Sequence, residues 1–110
     1  MNQKQIDAKK AELELKLKCK VQAISVTDGD DQAVGFLKNP TRQDKMRSID
    51  GLATGSLSQT CDVLLRSCLI AEESDPRILS DEEANDPIYL GFIMAVQKLV
   101  KFYSEGVKKN

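Results

Sequence analysis

The chain has no histidine and no tryptophan among its 110 residues. Without histidine, Ser-His-Asp and Cys-His catalysis are excluded, together with the commonest transition-metal ligand. Nothing resembles a glycine-rich phosphate loop. No apolar run is long enough to span a bilayer, and the charged amino-terminal stretch lacks the apolar core of a signal peptide. The expectation is therefore a protein that stays in the cytoplasm. The three cysteines, Cys19, Cys61 and Cys68, are an odd count without an export signal, which argues against structural disulfides. Cys61 and Cys68 are seven positions apart, on one helix face but about two turns apart, beyond the roughly 7 Å that a disulfide tolerates between Cα atoms. They fit small core residues better than a shared metal site. Asp28-Gly29-Asp30-Asp31 is acidic, but an EF-hand counted from Asp28 would need glycine and glutamate where Ala33 and Asn39 stand. No cofactor, no metal and no enzymatic activity are expected.

Charge is also nearly balanced: the formal net charge is -1, which gives no global drive toward nucleic acid or an anionic membrane. Lys38, Arg42, Lys45 and Arg47 cluster locally, yet Asp44 and Asp50 interrupt them and no stacking aromatics are interleaved. A solvated helix face accounts for them. Hydrophobic residues at 41% and charged residues at 30% suit one small soluble domain.

What is present is punctuation. Val21, Ala23 and Ser25 alternate with Gln22, Ile24 and Val26, and a second alternating run covers Val34 to Lys38. Asp28-Gly29-Asp30 between them suits a tight hairpin connection. Pro40 ends the second strand, and Thr41 can cap a helix with Asp44 at its third position. The hairpin is thus expected over 20–38 and helices over about 41–54, 57–70 and 87–105. Gly55 is a plausible end for the first of these, Ser56 to Gln59 forms an S-x-x-Q capping box for the second, and Asp86-Pro87 would be N-cap and first residue of the third. Residues 1–19 form a charged helix or arm. Their composition favours helix, but Leu13, Leu15, Leu17, Cys19 and Val21 alternate with polar neighbours as a strand would. Helix is expected to about Leu17, then strand from Cys19 or Lys20; the alternative is one long edge strand from near Glu12. The fold class is α+β: an N-terminal helix, a small antiparallel β-hairpin, then a bundle of three helices.

The last helix is apolar over most of its circumference. Ile88, Phe92, Ala95, Leu99 and Tyr103 form one stripe, and Tyr89, Ile93, Val96 and Val100 another, with Leu90, Met94 and Phe102 between them. Such a helix is either central to the core or shared with a partner.

Two segments carry a family resemblance. Gly35-Phe36-Leu37-Lys38-Asn39-Pro40-Thr41-Arg42, followed by Val63-Leu64-Leu65-Arg66-Ser67-Cys68-Leu69-Ile70, resembles signatures of the small tail assembly chaperones of long-tailed bacteriophages and prophages. Asn39 stands where that pattern has a charged residue, and Leu69 where it has an aromatic one. The resemblance implies a non-enzymatic protein of viral tail morphogenesis. Its partners would be the tape-measure protein, kept soluble before the tail tube polymerises, and the tail tube subunits that displace it. It implies action in the bacterial host cytoplasm and no retention in the mature virion. Phe92, Ile93, Met94, Val100 and Tyr103 are then the candidate partner-binding residues, and self-association is the other use of the same face. The family also suggests a longer frameshifted product, for which Lys108-Lys109-Asn110 could lie in an adenine-rich slippery run. The alternative function is a structural virion or head–tail connector subunit forming a symmetric oligomer.

Overall fold

The computed structural model describes residues 2–108, with side chains described through residue 100. Helix α1 spans Gln3–Leu17, strand β1 Val21–Asp28, strand β2 Asp31–Lys38, α2 Arg42–Ala53, α3 Leu57–Cys68 and α4 Asp86–Lys108, with 3-10 turns at Ala71–Glu73 and Glu83–Asn85. This is the expected α+β layout. No helix among the described residues is long and apolar enough to cross a membrane.

The open choice over residues 2–18 resolves to helix. Asn2 and Gln5 form a capping box, each side chain bonded to the other's backbone N–H. Alternation misled because only Ile6 and Leu13, seven apart, face inward, whereas Leu15 is 82% exposed. Lys18 ends the helix in the left-handed region at φ 55°. Because Ile6 and Leu13 are core residues, α1 is a layer of the domain rather than a detached arm.

β1 and β2 pair antiparallel in unbroken register, from Val21 opposite Lys38 to Asp28 opposite Asp31, across a two-residue connection of Gly29 and Asp30. The hairpin is the middle layer of three. Val21, Ala23, Val34 and Phe36 point toward Ile6 and Leu13 of α1. Ile24, Val26, Ala33 and Leu37 point the other way, into the larger core made with α3 and α4. β2 is consequently buried on both faces from Ala33 to Leu37, and period-two alternation delivers one set of side chains to each core.

The outer edge of β2 is also closed. Leu37 makes an antiparallel bridge with Leu69, the Ile70 N–H donates to Phe36 O at 2.8 Å, and the Asp75 N–H donates to Val34 O at 3.0 Å. Between them the Ser74 hydroxyl accepts from the Phe36 N–H and donates to Ile70 O. Arg77 fastens this segment, pairing with Asp75 and with Asp31 of the hairpin and donating to Gln32 O at 3.1 Å. Lys9 of α1 reaches Glu73 at 2.6 Å.

The helical caps divide. Thr41 caps α2 as expected, accepting from the Asp44 N–H at 3.1 Å, and the Asp44 carboxylate in return accepts from the Thr41 N–H at 3.0 Å. Gly55, at φ 83°, closes α2 in a Schellman arrangement, with Gly55 N–H bonded to Leu52 O and Ser56 N–H to Gly51 O. That arrangement overturns the Ser56 capping box. Ser56 takes φ −105°, ψ 73°, and its hydroxyl donates to the Gln59 side chain at 2.8 Å instead of accepting from the helix backbone. Asp86 is likewise not an N-cap. The 3-10 turn at Glu83–Asn85 runs directly into α4, so Asp86 already has helical φ/ψ and Pro87 is the second helical residue, still within the first turn where no backbone donor is missed.

Candidate functional site

Helix α4 lies across the hairpin, and two glycines set the distance. A Cβ on Gly35 would meet Phe92 Cε1 at 2.7 Å, and one on Gly91 would meet Val26 Cγ1 at 2.6 Å. The α4 backbone therefore approaches β1, and the Phe92 ring occupies the space above β2. Ile88, Phe92, Ile93, Val96 and Val100 are all buried in the larger core. Tyr89 turns to α3, donating its hydroxyl to Asp62 at 2.6 Å. That bond, with burial, raises the tyrosine pKa.

The five sequence candidates are accordingly split. Phe92, Ile93 and Val100 pack inside the domain and offer no contact surface in this state, with Phe92 0% exposed. Met94 is 65% exposed. Tyr103 lies outside the residues with described side chains. Leu90, absent from the candidate set, is 55% exposed one turn before Met94. The signal that could have found it is the spacing Leu90, Met94, Lys98: four-residue steps place all three on one face, and a lysine there marks the solvent side. Apolar periodicity alone gave two overlapping stripes and no outer face.

Other exposed large apolar residues are Leu15 and Leu17 on α1, Met46 on α2 and Val63 on α3. Val63 borders a groove of about 270 Å³ between α2 and α3, lined also by Ser48, Gly51, Gln59, Thr60 and Ser67. Its two buried hydroxyls are spent on their own helices, Ser48 on Asp44 O and Thr60 on Ser56 O. The groove is therefore a helix-crossing furrow, and among the described residues no buried side-chain polar atom is left unpaired in it.

The thiols do not form a site. Cys61 and Cys68 are buried and Cys19 is half-buried, and all three are free. Burial pushes the Cys61 thiol up and the Cys68 thiol to about 11, Asp44 adding to the latter, so neither supplies a thiolate nucleophile at neutral pH. Among the described residues no group of histidine, cysteine, aspartate and glutamate side chains could hold a metal ion. The acidic turn is engaged in structure: the Arg77 guanidinium holds both the Asp31 and Asp75 carboxyls below the usual range.

Set against family models, curated proteins and solved structures, the chain matches none of them. The class its fold defines is a three-layered α+β domain with an exposed apolar pair on its last helix.

Proposed function

We propose that this chain is a non-catalytic binding domain acting as a phage tail assembly chaperone, with the outer face of α4 as its client surface. The observation that carries the reading is the exposure of Leu90 and Met94, one helical turn apart, on a helix whose Ile88, Phe92, Ile93, Val96 and Val100 are sealed into the core. Exposed large apolar side chains in adjacent positions favour a partner over water. Methionine suits clients of varied shape, because its unbranched thioether repacks at small cost. An amphipathic client helix laid against this face would be read through its own apolar positions at three- and four-residue spacing. The tape-measure protein, long and largely helical in the family the sequence resembles, is the client of that description. Tail tube subunits would displace the chaperone as the tube grows, in the host cytoplasm.

The test is co-expression of this chain with the long helical protein encoded beside it in the source genome. The client is expected to become soluble and to co-purify, and Leu90→Asp and Met94→Asp to abolish both effects while leaving the bait's circular dichroism unchanged. A client that stays insoluble with the wild-type chain, or that co-purifies equally with both variants, overturns the reading. A closed ring of this chain retained in finished particles would identify a connector subunit instead.

A further inference from the structure

The two edges of the hairpin are finished differently. The outer edge of β2 is closed by residues 69–75, whereas among the described residues no strand pairs with the outer edge of β1. The ladder register, with the Asn39 N–H bonded to Lys20 O at 2.8 Å, aims the backbone groups of Gln22, Ile24, Val26 and Asp28 at β2. Those of Val21, Ala23, Ser25 and Thr27 therefore point outward. The Val21 N–H is taken by the Glu14 carboxylate at 3.2 Å. Among the described residues, nothing bonds the N–H of Ala23, Ser25 or Thr27.

An edge of this length is ordinarily blunted by a proline, a charge within the strand or a bulge. Val21-Gln22-Ala23-Ile24-Ser25-Val26-Thr27 has no proline and no charge, and its register is continuous. Charge is confined to its ends and differs in sign: Lys20 precedes the strand, and Asp28 is its last residue.

We infer that the chain forms a two-fold dimer by antiparallel pairing of β1 with β1 of a second copy, giving a continuous four-stranded sheet. One register sets Val21 opposite Thr27 and Ala23 opposite Ser25; the Thr27 N–H of each copy meets the Val21 carbonyl of the other, while the Val21 N–H stays with Glu14. This register places the dyad at Ile24, so the two Ile24 side chains meet on the α4 side of the sheet, with Val26 opposite Gln22. The same register sets Lys20 opposite Asp28 of the other copy, twice by symmetry. A parallel pairing would align like charges at both ends, so the charge pattern selects the antiparallel second copy as occupant. This inference does not rest on the chaperone reading: it uses neither Leu90 nor Met94.

The test is sedimentation equilibrium of the full chain across the micromolar range at low ionic strength. The expected result is a particle of twice the 12.2 kDa chain mass. Ser25→Pro removes an outward-facing N–H, together with the exposed hydroxyl that accepts from the Gln32 side chain at 2.9 Å, and is expected to yield a folded monomer. Lys20→Glu and Asp28→Lys are each expected to be monomeric alone, because each opposes like charges twice. Mixed one to one, they should form a heterodimer in which both end pairs are again opposite in sign. This mixing test holds even if Ser25→Pro fails to fold. A wild-type chain that stays monomeric throughout, a Ser25→Pro variant that still dimerises, or charge variants that do not recombine would overturn the inference.

Discussion

Phe92 sits against Gly35 so closely that a single added methyl would lie 2.7 Å from its ring and 2.8 Å from Ile78 Cδ1. Both neighbours are 0% exposed, with no free direction to yield. Gly35→Ala is therefore expected to destabilise the domain by about 1–3 kcal/mol, as overpacking does. Thermal denaturation followed by circular dichroism should show a fall of about 4 °C per kcal/mol. Adding Phe92→Leu should recover part of the loss, so the two changes together would cost less than their sum.

Lys18 holds a left-handed conformation, φ 55°, where the α1 helix hands over to β1. A side chain in that region carries a steric cost that glycine avoids. Lys18→Gly should thus stabilise the domain by about 0.5–1 kcal/mol, the relief of strain outweighing the added freedom of the unfolded chain. Urea denaturation at neutral pH reads this directly as a higher midpoint with unchanged slope.

The buried thiols make stability fall on the alkaline side. Burial favours the neutral form, so the folded pKa of Cys68, about 11, lies above its unfolded value near 9.0, and Cys61 shifts the same way. A raised folded pKa gives stability that is intact below the unfolded value and lost as pH climbs through the folded one. Tyr89, raised by its bond to Asp62, adds to the loss in the same direction. Urea midpoints should hold steady up to about pH 8 and decline beyond about pH 9. In the native state a thiol reagent should modify the half-buried Cys19, and reach Cys61 and Cys68 only on unfolding, as peptide mass mapping would show.

The acid side is governed by Arg77. Its guanidinium lowers the carboxyls of Asp31 and Asp75, and Lys9 lowers that of Glu73. A lowered folded pKa stabilises above the unfolded carboxylate value, near pH 4, and the benefit disappears as pH drops through the folded value. Arg77→Ala should weaken the domain at neutral pH and flatten its further loss below about pH 4. Amide exchange should locate the damage at the Ile70 and Asp75 N–H groups, whose bonds to β2 Arg77 helps to hold.

Element positions were legible where backbone chemistry is local. Asn39-Pro40-Thr41 ends a strand and opens a helix for reasons confined to a few residues, and the structure places both there. The Ser56-x-x-Gln59 signal failed because the preceding Schellman turn had already fixed the backbone of Ser56. The α1 pattern was equivocal because a thin helix layer buries only Ile6 and Leu13 and leaves Leu15 free to imitate a strand. The candidate face on α4 was half legible. Met94 was among the candidates, but Phe92, Ile93 and Val100 look identical to surface anchors until the hairpin beneath them is known.

The hairpin is a partition wall shared by two rooms. Each successive residue of β2 furnishes the opposite side, Val34 and Phe36 toward α1, Ala33 and Leu37 toward α3 and α4. Neither room can be refurnished alone: a slip of one residue in β2 would empty both, sending Phe36 into the space of Gly35 and leaving α1 facing a glycine. The strand register is thus policed from both sides at once, and variation that the outer helices tolerate will find little tolerance between Ala33 and Leu37.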